Sequence, residues 1–340
     1  MKLEQVKALA VRELADPPRS ADEIQATELS GGYTNHVWRL SWPAQSDAGP
    51  RTVIGKYAPP FVARRPEIEL DPVRLDFEAR ALRAAAGFPS LGGVRTPRVL
   101  AYSADGPLLF LEDCGDCPDL AAYLDPANPN PFESAGGFAS RAGRDLGTWL
   151  AALHTRSHGD GRLAGQFRND SVQQRRREVM YRGARELLDR AAAVLREAAP
   201  DPASKDKQKL ERAADAAANL GERLCSPGIC LTMGDLWPRS LLVRSDELLV
   251  VDGEFAHYGR PAQDCAHLLA HLYMQRGAAT DAFAAAFVDA YTSALEQSPA
   301  AVRESLAESL TNDAAIHCGC EILMRTLGPF RAGYFFEHTD

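Results

Sequence analysis

The densest set of chemically able side chains lies between Met233 and Asp264, in the run MGDLWPRSLLVRSDELLVVDGEFAHYGRPAQD. Asp235 follows Gly234 in a loop. Two β-like runs come next, Leu241 to Val243 and Leu248 to Val251, with Asp246 in the turn between them. Asp252 and Glu254 stand just past the second run. A hairpin sets its two ends a strand spacing apart, so these acids are expected to share one site. One carboxylate could take a proton from a hydroxyl. Two others, one residue apart, could hold Mg²⁺ through hard oxygen ligands. A single acid of this kind is ordinarily a solvated surface charge. Three around one hairpin, bracketed by apolar strand residues, make a much less common arrangement.

A second set lies in the first third of the chain. Lys56 sits in the strand-like TVIGKY, and Glu78 in the helical segment after it, from Pro72 to Ala86. Val73, Phe77, Leu82 and Ala85 recur there at near-helical spacing, and Pro72 suits a first turn. A lysine on a strand and a glutamate on the helix after it can meet as an ion pair. Upstream, LSGGYTNHVWRL offers Ser30, Gly31 and Gly32 for a turn, and Thr34 and Asn35 as donors toward phosphate. That loop lacks a full G-x-G-x-x-G and by itself reads as a plain hairpin turn.

The elements that must position these residues divide the chain. From about Thr27 to Glu112 short β-like runs dominate, among them Val37 to Leu40, Arg98 to Tyr102 and Leu108 to Leu111. Beyond Asp113 the pattern is mostly helical: Ser140 to Leu153, a long Ser171 to Ala199, Lys205 to Leu224, Asp264 to Met274, Ala279 to Leu295 and Ala301 to Leu327. CGDCPD, Cys114 to Asp119, is the best boundary.

Composition excludes other classes. The 340 residues carry a formal charge of −8 and are 45% hydrophobic and 25% charged, which is ordinary for a folded chain. The acidic balance argues against nucleic-acid binding through phosphate contacts. No run approaches a membrane span. Met1 to Asp16 is charged at helical spacing without an apolar core, unlike a signal peptide, so the cytoplasm is the expected compartment. Seven cysteines point to reduced thiols rather than a disulfide framework. Cys114 with Cys117, and Cys318 with Cys320, are read as scattered thiols rather than four zinc ligands, on the expectation that no second C-x-x-C and no His-x-x-x-His pair accompanies them. The run Arg175, Arg176, Arg177 is read as a solvated helix face beside Glu178 and Glu186, and His154 as structural.

The spacing from Asp235 to Ser240, followed by Asp252, resembles the D-x-x-x-x-N and metal-binding Asp motifs of the protein-kinase-like fold. The form D-G-E instead of D-F-G resembles its small-molecule branch, the aminoglycoside phosphotransferase and choline kinase-like enzymes. The nearest pattern is that of methylthioribose kinase, through Gly234-Asp235-Leu236, through Asp252, Glu254, Phe255, Ala256, Tyr258 and Gly259, and through Asp264 and the terminal EILMRTLG (Glu321 to Gly328). Met233 stands where that family usually has His, and Ser240 is a weaker magnesium ligand than Asn.

The resemblance implies an α+β, bilobal fold, with a nucleotide-binding N-lobe at 1–113 and a larger helical catalytic and substrate-binding C-lobe at 114–340. It implies ATP and Mg²⁺ as cofactors and a small-molecule hydroxyl as acceptor: a sugar, an amino sugar, an amino alcohol or a thiosugar. Asp235 would be the base. Ser240, Asp252 and Glu254 would hold metal, and Lys56, paired to Glu78, the phosphates. The backbone of Glu112 to Cys114 would meet the adenine edge. Trp237, Arg239 and Arg325 would face the acceptor. A nucleotide-binding pseudokinase is the alternative. A protein kinase is disfavoured, since no D-F-G or A-P-E marks an activation segment.

Overall fold

The computed structural model describes residues 1–29, 32–43, 50–87, 93–127, 136–198 and 205–332. Helix α1 (Leu3–Glu13) precedes strands β1 (Gln25–Glu28), β2 (His36–Trp42) and β3 (Arg51–Tyr57). A small hairpin, β4 (Phe61–Val62) and β5 (Arg65–Glu69), leads into α2 (Arg74–Ala86), then β6 (Val94–Arg95), β7 (Val99–Ser103) and β8 (Leu108–Glu112). The rest is mainly helical: α3 (Leu120–Tyr123), α4 (Gly136–Ser157), α5 (Gly161–Gln166), α6 (Asp170–Arg176), α7 (Ala184–Ala198) and α8 (Lys205–Leu224). Strands β9 (Cys230–Thr232), β10 (Leu241–Arg244), β11 (Glu247–Val250) and β12 (His257–Gly259) interrupt it before α9 (Ala262–Gln275), α10 (Ala278–Glu296) and α11 (Ala300–Thr326). The α+β class expected from the sequence, β-rich first and helical after, is what the structure has.

Five strands form one antiparallel sheet in the order β1-β2-β3-β8-β7. Strand alternation gives the sheet two apolar faces. Leu40, Val53, Leu108 and Phe110 pack with Val6 and Ala10 of α1. Leu109 and Leu111 pack on the other side with Leu75, Ala79 and Leu82 of α2. The sheet is therefore sandwiched between two helices. Lys56 neighbours Gly55, whose position faces Val6 and Leu40. The two-residue period thus aims Lys56 at α2, where Glu78 waits.

The second core joins α4, α9 and α10 to the β10–β11 hairpin. A Cβ on Gly143 or Gly147 of α4 would strike the Phe283 or Phe287 carbonyl of α10, so glycine sets this close helix approach. Strand β6 pairs in parallel with β11, Val94 opposite Leu248, and ties the segment before β7 to the hairpin. Among the described residues no helix is long and apolar enough to cross a membrane.

One expected element differs. The long helix read over Ser171 to Ala199 is broken into α6, a π turn over Arg177–Arg182, and α7. The wider turn changes which face of the segment points inward, and such turns cluster at functional sites. Arg176 is buried at the end of α6 while Arg175 stays exposed.

Candidate active site

The loop before β10 is held from below by buried groups. Gly234 has φ +82°, and a Cβ there would run into the Phe255 backbone, so only glycine fits. Its N–H donates to Asp264 Oδ1 at 2.7 Å, and the Met233 N–H donates to Asp264 Oδ2 at 2.9 Å. Asp264 lies in the first turn of α9, where a carboxylate also suits the helix dipole. His154 Nε2 stands 3.2 Å from Asp264 Oδ2 and its Nδ1 is 2.7 Å from the Tyr291 hydroxyl. The structural part read for His154 is therefore specific: it braces the acid that fixes the loop. Ser240 Oγ accepts from the Trp237 N–H at 3.0 Å and donates to the Trp237 carbonyl at 2.9 Å. It closes the turn that carries Asp235 and is buried there.

The hairpin pairs Leu241 with Val250, which returns the chain to the same end. There Asp252 adopts a left-handed conformation, φ 60° and ψ 48°, unusual for a residue other than glycine. Its side chain is 48% exposed. Lys56 Nζ donates to Asp252 Oδ1 at 2.5 Å and stands 2.8 Å from Glu78 Oε2. Burial works against the ammonium, but Asp252, Glu78 and Glu254 outweigh it and raise its pKa. The lysine is fixed as a cation between the helix acid and the hairpin acid.

Glu254 is placed differently from the metal-facing position expected of it. It is buried, and both oxygens already have donors. Thr34 Oγ1 reaches Oε1 at 2.5 Å, and Asn35 Nδ2 reaches Oε2 at 2.9 Å. Arg74 Nε also donates to Oε2 at 2.9 Å. Thr34 and Asn35, expected on phosphate, thus turn toward Glu254. Arg74 is fully buried and its other donors reach the carbonyls of Pro59, Leu70, Asp71 and Thr34 and the Asn35 side-chain oxygen. It ties α2, the β2 entrance and the acid after the hairpin together. Arg74→Ala would leave Glu254 buried without its counter-charge, and should cost about 3–5 kcal/mol of stability. Urea unfolding checks this, and a loss under about 1 kcal/mol would contradict the role given to the pair.

Asp235 is the acid at the loop tip. Arg176 Nη2 donates to its Oδ1 at 2.9 Å, and Nη1 of the same guanidinium donates to the Gly234 carbonyl. The guanidinium also lies over the Phe255 ring, 5.4 Å from its centroid. This corrects the solvated-face reading of Arg176. Arg177 does keep it, pairing with Glu178 and Glu222. Arg176 follows Val172 by four residues on the buried face of α6, a spacing that three arginines in a row obscure. Burial pushes the Asp235 carboxyl up to about 6, against the pull of Arg176 and Arg325. Arg176→Ala removes one of those pulls. The acidic limb of the kcat/KM–pH profile should then move up by about 1–3 units. An unmoved limb in an active Arg176→Ala protein would mean that Arg176 does not set the ionisation of Asp235.

Beside Asp235 the structure brings Trp237, Arg239 and Arg325 together. The two guanidinium groups lie 5.8 and 5.0 Å from the Trp237 ring, and His271 packs 4.9 Å from it. Arg325 Nε donates to Glu321 Oε1 at 2.5 Å. Burial lowers His271 to about 4 and pushes His267 well below its usual range. At the far end of β8, the Glu112 side chain receives two bonds from Arg95, both 3.1 Å, and its N–H closes on the Arg98 carbonyl. Cys114 follows, half-buried, and all seven cysteines are free. Gly32 sits tight against the Asn35 carbonyl. Ser30 and Gly31 lie outside the described residues.

A family model described as "Phosphotransferase enzyme family" matches residues 25–305. The chain is 22% identical over 276 residues to phosphotransferase FrzJ of a Cladobotryum species, which covers 73% of this chain and 69% of that protein. Among solved structures it is similar to choline kinase from Cryptosporidium parvum Iowa II, at 11% identity and a TM-score of 0.54, over 94% of this chain and 88% of that one. It is also similar to a choline/ethanolamine kinase family protein from Mesorhizobium loti, at 14% identity and a TM-score of 0.45, over 94% and 95%. The choline kinase overlay shows that the fold is the kinase-like one expected from the motifs. The family match runs from β1 into α11 and takes in the sheet, the lysine, the loop and the hairpin: the chain belongs to the phosphotransferase enzyme family.

Proposed function

We propose that the protein transfers the γ-phosphoryl group of ATP, bound with Mg²⁺, to a hydroxyl of a small molecule. The observation that carries this is Lys56, bonded at once to Glu78 and to Asp252. The pair is the one that sets a lysine against the α- and β-phosphates in kinase-like enzymes. Residues 1–113 form the nucleotide-binding lobe in this reading, and 114–340 the catalytic and acceptor-binding lobe. The adenine edge meets the backbone of Glu112 to Cys114.

Asp252 suits the metal: it offers a hard carboxylate oxygen and is half-exposed beside a fixed cation. Mg²⁺ bound there would neutralise phosphate charge. Glu254 Oε2 is taken by Arg74 and Asn35 and Oε1 by Thr34, which leaves one lone-pair site on Oε1, and Ser240 Oγ is engaged in its turn. Asp235 orients the acceptor hydroxyl and takes its proton at Oδ2, with Arg176 holding Oδ1. The oxygen–hydrogen bond of the acceptor breaks as its oxygen bonds phosphorus, and ADP leaves with the electron pair of the broken β–γ bridge. Trp237 gives the acceptor an apolar wall, and Arg239 and Arg325 give it donors. Such a wall suits a sugar, amino sugar, amino alcohol or thiosugar.

ATP titration by calorimetry tests the nucleotide half. Binding that needs Mg²⁺ and vanishes with a chelator is the expected result. No heat with or without Mg²⁺ would overturn the proposal. One observation favours the pseudokinase alternative: Glu254 and Ser240 both bond within the protein, which leaves Asp252 to hold the metal. Mg²⁺-dependent binding with no ADP release for any acceptor would select it.

A further inference from the structure

A buried group of side chains able to bind a metal stands beside Asp235, next to Trp237 and Arg325. His267 and His271 are one helical turn apart on α9, so both imidazoles leave the same face. This corrects the expectation that the chain has no His-x-x-x-His pair: His267-Leu268-Leu269-Ala270-His271 is one. Glu321 of α11 comes in from the opposite side. His271 Nε2 is 3.0 Å from Glu321 Oε1, and His267 Nε2 is 3.5 Å from the same oxygen. The three ligand atoms lie within 4.8 Å of one another. Donors bonded to one first-row metal ion at about 2.0–2.2 Å stand about 3–3.5 Å apart, so the group is close to closing on an ion without moving its backbone.

Two further features point to a ligand. His267 Nε2 is buried and makes no hydrogen bond, although it lies 3.3 Å from Asp235 Oδ1. Its other nitrogen is braced: Nδ1 is 3.4 Å from His317 Nε2, and His317 Nδ1 is 2.6 Å from the Tyr181 hydroxyl. A bonded second nitrogen is how metal-binding histidines are held in orientation. Arg325 also bonds Glu321 Oε1, and a cation would have to share that oxygen or displace the guanidinium to the other one.

We propose that His267, His271 and Glu321 form a site for a borderline divalent cation of the zinc and cobalt class, separate from the magnesium site. Two imidazoles and one carboxylate suit such ions and disfavour Mg²⁺, which prefers oxygen. An ion held there would stand next to Asp235, whose Oδ1 lies 3.3 Å from His267 Nε2. The site does not depend on the phosphotransfer reading, and its test uses neither nucleotide nor acceptor.

The test is titration of the chelator-treated full chain with Co²⁺, with excess Mg²⁺ present to cover oxygen-only sites. X-ray absorption at the cobalt edge then reads the ligands. The expected result is one tightly held Co²⁺ with imidazole and oxygen scatterers and no sulfur. His271→Asn and Glu321→Gln should each abolish stoichiometric binding, with circular dichroism showing that they fold. If either variant fails to fold, the spectrum of the unaltered chain decides alone. Sulfur ligands would assign the ion to Cys318 and Cys320 or to Cys114 and Cys117, and would overturn the proposal. So would an absence of bound Co²⁺, or binding that survives in both folded variants.

Discussion

Asp235→Asn is expected to lower kcat by about 10²–10⁴-fold and leave ATP binding unchanged. The substitution keeps the shape and the bond from Arg176 but removes the basic oxygen. Nothing else in the loop can take the proton: Ser240 Oγ is engaged with Trp237, and Asp264 is buried beneath on two backbone N–H groups. The same claim fixes the pH dependence. The active form is the carboxylate, and its pKa is pushed up to about 6 by burial. Activity should therefore be full above that value and fall about tenfold per pH unit below it. A flat profile from pH 7 down to about 4.5 would show that the group does not act as a base. So would an Asp235→Asn protein that turns over normally.

Asp252→Asn is expected to have an effect of similar size through a different term. It removes the charge proposed to hold Mg²⁺, while Lys56 keeps Glu78 as a partner, so the fold should survive. Loss of metal-borne charge neutralisation amounts to about 3–5 kcal/mol, on the order of 10²–10⁴ in kcat/KM. The apparent Mg²⁺ requirement should rise as well, and high Mg²⁺ should restore part of the rate. Steady-state kinetics across a Mg²⁺ series would read both. An Asp252→Asn protein with an unchanged Mg²⁺ requirement would move the metal site elsewhere.

The two variants separate the halves of the account. One blocks proton acceptance with nucleotide still bound, and the other weakens the nucleotide–metal complex. Thermal melting with Mg-ATP distinguishes them: stabilisation should persist in Asp235→Asn and shrink in Asp252→Asn.

Much of this site could be read from local pattern. TVIGKY reads as a strand and Pro72 to Ala86 has helical spacing, so the sequence places Lys56 on a strand and Glu78 on the helix that follows it. The hairpin with Asp246 in its turn likewise put Asp235 and Asp252 at one end. What escaped was long-range. Arg74 has no sequence mark that distinguishes it from an exposed helix arginine, yet it is fully buried in bonds to five residues besides Glu254. Thr34 and Asn35 meet Glu254 across more than two hundred residues, and no local period encodes that meeting. Arg176 was concealed by Arg175 and Arg177, and by a π turn that single-sequence periodicity reads as continuous helix. His267 and His271 did carry a signal, four residues apart on a helix. Their partner Glu321 comes from another helix and only the packing of α9 on α11 supplies it.

The central claim is phosphoryl transfer from Mg-ATP to a small-molecule hydroxyl, with Asp235 as the base. The most direct measurement is ADP release, with the product followed by phosphorus NMR, across a panel of hydroxyl metabolites. The panel spans methylthioribose, aminoglycosides, choline, ethanolamine and homoserine, with Asp235→Asn as the blank. The account predicts acceptor-dependent ADP, a new phosphomonoester signal, and loss of both in the blank. A phosphomonoester signal that persists undiminished in Asp235→Asn would contradict the account. So would a chain that neither releases ADP with any acceptor nor gains thermal stability from Mg-ATP.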